Sequence, residues 1–158
     1  MGSKKISAGL LMYRIVNEQV EVFLVHPGGP YFKKKDADHW SSPKGEPDDG
    51  EDDLLKTALR EFEEETGIKA AAEKFFPLDT ITQKGGKVVH AWAFKGDLLD
   101  GFVIQSNTFY EEWPPHSGKK AEFPEVDKAE FFSIEEAKLK IKNAQVPLIE
   151  RLLEYLGK

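Results

Sequence analysis

A chain of 158 residues with 40% hydrophobic and 32% charged content can bury a core without covalent staples, and it reads as one domain over 1–158. The absence of cysteine excludes disulfides, zinc–thiolate sites and thiol nucleophiles together and fits a reducing, cytoplasmic setting. A net charge of −6 argues against general nucleic-acid binding, and no apolar run after the opening MGSKK marks a signal peptide or a membrane span.

The myristoylation pattern also fails, because Ile6 stands where Ser or Thr is needed. The first elements are β-rich. KKISAGLLMYRIV and QVEVFLVHP predict two strands joined by a turn at Asn17-Glu18-Gln19. GGPYFKKKDADHW and SSPKGEPDDGED are expected to be loop, with Pro and Gly forbidding a regular element. A helix should start at Asp52 or Asp53, either able to N-cap, and end at Gly67. KFFPLDTITQ and KVVHAWAFKGD predict a second hairpin about Lys84-Gly85-Gly86. Residues 106–127 carry no regular pattern and are expected to form a long functional loop. KAEFFS is a short strand, and one or two helices close the chain, with Ser133 and Glu136 as a capping box. Interleaved hairpins and helices point to a mixed sheet with helices packed against it.

The charge is unevenly spread. Ten of the 28 acidic residues lie between Glu46 and Glu65, against Lys56 and Arg60 alone. At about 100° per residue, Leu55, Ala58, Leu59 and Phe62 share a core-facing stripe, and Glu61, Glu64 and Glu65 share the adjacent arc. Glu63 points elsewhere. Like charges one helical turn apart repel by roughly 0.2–0.5 kcal/mol per pair, so three converging carboxylates call for a cation. Hard oxygen ligands suit Mg²⁺ or Mn²⁺. No EF-hand, P-loop or nucleophile-elbow spacing competes for the same residues.

The stretch from Gly45 to Ile68, GEPDDGEDDLLKTALREFEEETGI, resembles the Nudix box, G-x5-E-x7-R-E-U-x-E-E-x-G-U, where U is bulky and apolar. Gly45, Arg60, Glu61, Phe62, Glu64, Glu65, Gly67 and Ile68 match it in type and order. One departure stands out: Glu51 follows Gly45 at the required spacing, yet eight residues rather than seven separate it from Arg60. Either Glu51 or Asp52 therefore fills the first acidic position, with Glu51 favoured for its reach. FLVHPGGPYF and NTFYEEWPP are also similar to a bacterial group of predicted nucleoside-triphosphate pyrophosphohydrolases, and the position of Glu125 resembles that of a glutamate in diadenosine-tetraphosphate hydrolases of the same superfamily.

The resemblance implies an α/β (α+β) fold, an α/β/α sandwich with a mixed central sheet and the box as loop–helix–loop. It implies Mg²⁺- or Mn²⁺-dependent attack of water on a pyrophosphate bond in a nucleoside diphosphate linked to some group X, a nucleoside triphosphate or dinucleoside polyphosphate. Metal ligands would be Glu61, Glu64 and Glu65, with Glu51 and the Gly45 carbonyl as further ones. Arg60, Glu64 and Glu125 would serve catalysis, Arg60 by orienting carboxylates and Glu125, with Glu122 as its rival, as ligand or base. Lys44 could pair with phosphate. Phe109, Tyr110 and Trp113 could stack a base of the substrate or equally pack their loop down, and Trp40 could meet substrate or simply plug the core. The Lys33-Lys34-Lys35 run reads as a solvated face, and no role attaches to the histidines. The extra residue before Arg60 keeps open a nucleotide-binding module without turnover.

Overall fold

The computed structural model describes residues 5–158. Strands β1 (Ile6–Val16) and β2 (Gln19–Pro27) form the first hairpin. Asn17 and Glu18, both at positive φ, make its two-residue turn, and Gln19 already pairs with Val16. This is the turn type whose twist matches paired strands. Helix α1 (Leu54–Thr66) follows a two-residue strand, β3 (Lys44–Gly45). Next come β4 (Phe76–Thr82) and β5 (Val88–Lys95), the expected second hairpin. The strands β6 (Thr108–Glu112), β7 (Lys120–Pro124) and β8 (Val126–Ser133) precede helices α2 (Ile134–Lys140) and α3 (Val146–Tyr155).

The main sheet runs β4-β5-β1-β2-β8, with β3 added beside β1. Every pairing in it is antiparallel except β1 with β5, which is parallel, so the sheet is mixed as expected. Strand alternation divides the core into two layers. Ala8, Leu10, Met12, Phe23 and Val25 pack with Ala58 and Phe62 of α1. Leu11, Tyr13, Val22 and Leu24 pack on the opposite face with Leu148, Ile149 and Leu152 of α3. Helices thus cover both faces, giving the α/β/α sandwich.

Two expectations need correction. Residues 106–127 are not structureless: β6 and β7 pair from Thr108↔Pro124 to Glu112↔Lys120 as a separate two-stranded sheet, and β8 begins at Val126. None of the ten hairpin strand residues is fully buried, so no apolar alternation announced them. The SSPKG segment is also not wholly irregular. Lys44 and Gly45 pair with Gly9 and Ala8, which fastens the loop before α1 to the centre of the sheet.

Candidate active site

Helix α1 is held at both ends by its own sequence. The Asp53 carboxylate accepts a hydrogen bond from the Leu55 amide at 3.0 Å, and Gly67 closes the helix in the left-handed conformation. Asp53 rather than Asp52 is therefore the cap. Ala58 and Phe62 face the sheet fully buried, which leaves Glu61, Glu64 and Glu65 half-buried along the flank and Glu63 exposed. The angular pattern in the sequence is reproduced in three dimensions.

Arg60 gathers the acids. Its Nη1 donates to Glu61 Oε1 and to Glu64 Oε2, both at 2.9 Å. Its Nε donates to Glu51 Oε2 at 3.2 Å, and its Nη2 to Glu51 Oε1 and the Glu46 carbonyl, both at 3.0 Å. Glu51 accepts further bonds from Thr57 Oγ1 at 2.6 Å and the Asp48 amide at 3.1 Å. Side-chain bonds from Arg60 and Thr57 and the Asp48 amide bond hold the Glu51 carboxyl at about 2. The loop therefore absorbs its extra residue and delivers Glu51 to Arg60, while Asp52 stays exposed.

Glu65 and Glu61 lie in a drier setting. Burial pushes the Glu65 carboxyl up to about 8, against a single backbone bond from the Lys44 amide at 3.0 Å, with repulsion from Glu61 and Glu125 adding to the rise. Burial also raises Glu61, opposed by Arg60. Glu125 is raised by burial and then by Glu64. Lys44 is lowered to about 8 by burial and by repulsion from Lys142 and Lys87. Lys44, Glu65, Glu125, His39 and Lys142 line one small cleft of about 130 Å³.

Gly45 fits this site by close approach. A Cβ built there would fall 2.0 Å from the Glu61 carboxyl carbon. Gly45→Ala should therefore displace the Glu61 carboxylate with little loss of the fold. Misplacement of this size can cost on the order of 100-fold in turnover. The expected result is at least a tenfold fall in activity with a melting temperature close to wild type.

Other expected residues fall in different places. Trp40 requires correction as a substrate contact: it is 2% exposed, stacks edge-on against Phe132 at 4.8 Å and donates from Nε1 to Asp36 at 2.8 Å. It fills the core. Tyr110 is 67% exposed on the hairpin and Trp113 stands just beyond the end of β6. Glu122 accepts from Thr108 Oγ1 at 2.8 Å on the exposed face of the hairpin, apart from the box acids that Glu125 adjoins. The backbone ties Glu125 down: its amide donates to the Asn107 carbonyl, its carbonyl accepts from Gly28, and the Asn107 amide donates to the Glu64 carbonyl, each at 2.8 Å.

His39 and Lys142 are cleft residues that the sequence did not single out. Trp40 and Ile141 form a parallel bridge, and the Lys142 amide donates to the Trp40 carbonyl. This contact brings the segment after α2 beside the loop before α1. No local spacing announces it. A larger cavity of about 600 Å³, lined by Phe32, Gln83, Lys84 and Asn143, shares His39 and Lys142 with the cleft and extends it.

Among the described residues, no three acidic or histidine side chains stand as a ready cation cage. Glu51, Glu61 and Glu64 are turned toward Arg60. The donor set nevertheless fits a hard divalent ion. All its members are oxygens, and Glu65 is a desolvated acid with one N–H donor, a group whose charged form gains most from a nearby cation.

A family model described as NUDIX domain matches residues 5–152. A bis(5'-nucleosyl)-tetraphosphatase (asymmetrical) of Rattus norvegicus is 64% identical over 59 residues, covering 34% of this chain and 40% of that protein. The Mus musculus protein of the same name is 64% identical over 33 residues, 21% of this chain and 22% of that one. The chain thus matches less than half the length of either relative. Among solved structures, a C. elegans Ap4A hydrolase binary complex has a TM-score of 0.66 at 23% identity, covering 97% of this chain and 98% of that one. The NUDIX domain of Shewanella oneidensis NrtR, complexed with ADP ribose, has a TM-score of 0.69 at 16% identity, covering 99% and 90%. A MutT protein of Methanosarcina mazei Go1 has a TM-score of 0.62 at 17% identity over the full length of both chains. These three carry the fold alone.

Proposed function

This chain belongs to the NUDIX family, and from that premise we propose that it hydrolyses a pyrophosphate bond in a nucleoside diphosphate-X compound, a nucleoside triphosphate or dinucleoside polyphosphate. The observation that carries the reading is the convergence of Glu51, Glu61 and Glu64 on Arg60, with Glu65, Glu125 and Lys44 sharing the adjoining cleft. The match to rat bis(5'-nucleosyl)-tetraphosphatase supports the dinucleotide end of the range.

Glu61, Glu64 and Glu65 would hold the divalent ion, Mg²⁺ or Mn²⁺, with Glu51 and the Gly45 carbonyl completing the donor set. Such an ion, when bound, would stabilise the charge developing at phosphorus and lower the pKa of water. Everything else falls to the chain. Arg60 is a positioning residue, since its donors are committed to carboxylates and the Glu46 carbonyl rather than to the cleft. Lys44, with Lys142 and Lys87 near enough to repel it, neutralises the phosphate chain. Glu125, raised by burial and by Glu64, accepts the proton of the attacking water. A base works best when its pKa approaches the working pH. As the new phosphorus–oxygen bond forms, the bridge to the departing phosphate breaks.

The bond from Arg60 to Glu51 also bears on the module without turnover. The one sequence feature in its favour, the extra residue before Arg60, leaves the Glu51 contact intact. A panel of nucleoside triphosphates and dinucleoside polyphosphates, assayed with Mg²⁺ and Mn²⁺ in ¹⁸O-water, tests the proposal. Label in a phosphate product, together with a fall on the order of 100-fold or more in Glu64→Gln, is the expected result. Wild-type rates in Glu64→Gln on a substrate that the chain cleaves would overturn the mechanism.

A further inference from the structure

The hairpin of β6 and β7 has one face that the catalytic reading leaves unused. Along β6 the half-buried residues are Phe109 and Glu111, with Tyr110 and Glu112 exposed between them. Phe109 pairs in register with Phe123, their ring centroids 6.1 Å apart. Trp113, two residues beyond Glu111, continues the inner row, because alternate residues share a face. Its amide donates to the Lys119 carbonyl at 2.9 Å, extending the ladder.

This row faces the loop after β2. A Cβ on Gly28 would fall 1.9 Å from the Pro124 carbonyl oxygen, and one on Gly29 would fall 2.8 Å from the tip of Phe109. Two glycines thus let the loop press onto the hairpin. The buried His26 ring fixes the base of the loop, meeting Asp127 Oδ1 at 2.7 Å and the Lys35 carbonyl on its two nitrogens. Between loop and hairpin lies a cavity of about 360 Å³, lined by Gly29, Pro30, Lys33, Trp113, Phe123 and Asp127, with Pro124 at its edge.

Phe109 and Phe123 are half-buried where the two pieces meet. Trp113 and Tyr31 do more than pin them together. Their rings stand edge to face at 5.6 Å and 86°, yet Tyr31 is 52% and Trp113 37% exposed. Exposed aromatic surface around a preformed cavity marks a ligand site. The cavity also lies beside the proposed chemistry, since Pro124 at its edge is followed at once by Glu125 in the catalytic cleft.

We propose that the cavity between the 28–33 loop and the β6–β7 hairpin receives a nucleobase of the substrate, with the Trp113 indole as stacking platform and Tyr31 bracing it edge-on. The inference rests on the polyphosphate reading of the neighbouring cleft. Lys33 and Asp127 supply polar groups for the edge of the base. The occupant is planar and aromatic, because the Trp113 and Phe123 rings offer flat walls, and the two charged lining residues, Lys33 and Asp127, are of opposite sign rather than a cradle for an anion. Tyr110, on the other face of β6, lies outside this slot.

The test compares two ligands that no hydrolysis of the bridge can consume, each titrated calorimetrically with Mg²⁺. α,β-Methylene-ADP carries a base and methylenediphosphonate carries none. Base stacking worth roughly 1–3 kcal/mol corresponds to about 5- to 150-fold in affinity. Trp113→Ala is expected to weaken α,β-methylene-ADP within that range and to leave methylenediphosphonate unchanged, while Trp113→Phe restores most of the loss. Equal loss of both ligands, or loss of neither, overturns the slot alone. A wild-type chain that binds neither ligand overturns the polyphosphate reading, and the slot falls with it.

Discussion

Glu65→Gln will remove most of the activity and, without divalent metal, make the protein more stable. Both effects come from one cause. The Glu65 carboxylate is held in a dry position beside Glu61 and Glu125, which raises it to about 8. A desolvated charge of this kind costs stability until a cation compensates it. Glutamine keeps an oxygen to accept the Lys44 amide and sheds the charge. Since the carboxyl is raised in the folded state, the wild type loses stability as pH climbs from the ordinary glutamate range, near 4.5, to about 8. The advantage of glutamine should be largest above pH 8 and vanish below about pH 4.5, where the carboxyl is protonated folded or unfolded. After allowance for partial exposure, a gain of roughly 1–3 kcal/mol is expected, about 2–4 °C in Tm for each kcal/mol. Turnover should fall on the order of 100- to 1,000-fold. Thermal melts across that pH range with chelator present, paired with activity assays, check both halves. A variant that is less stable than wild type at pH 8 would contradict the electrostatic account of the site.

The second large effect concerns Arg60. One guanidinium holds Glu51, Glu61 and Glu64 at 2.9–3.2 Å. Arg60→Gln leaves these carboxylates facing one another with no fixed cation, and the pairs are half-buried, so their loss exceeds that of a surface salt bridge. The expected cost is about 2–4 kcal/mol, measured by denaturant unfolding in chelator. Mg²⁺ should recover part of it, because an ion that binds only the folded state stabilises by mass action. The metal-dependent rise in Tm should therefore be larger in Arg60→Gln than in wild type. Turnover stays low even at saturating Mg²⁺, since the carboxylates no longer share one orientation.

The box was legible because two independent signals agree on α1. A 3.6-residue apolar stripe fixes the face toward the sheet, and the acids left on the flank are too concentrated to be an ordinary solvated surface. The α/β/α arrangement follows from strands apolar on both faces, as in AGLLMY, where Ala8, Leu10 and Met12 share a buried cluster with α1 residues and Leu11 and Tyr13 share the other with α3 residues. The choice between Glu51 and Asp52 could not be made from spacing, since it depends on how the 46–53 loop bends. Contacts with Arg60, Thr57 and Asp48 decide which side chain turns inward. The hairpin was missed because its strands bury no side chain fully. Periodicity reports burial, and a ribbon packed through two glycines and a few rings buries little. His39 and Lys142 were missed for another reason: their neighbourhood is created by the Trp40–Ile141 bridge, a contact between distant segments.

The central claim, that the flank of α1 is a divalent-cation site, is tested most directly by titrating Mn²⁺ and following loss of the free-ion paramagnetic resonance signal. Wild type should sequester Mn²⁺ saturably, and Glu61→Gln/Glu64→Gln/Glu65→Gln, folded by circular dichroism, should not. Equal uptake by both proteins, or none by either, would contradict it.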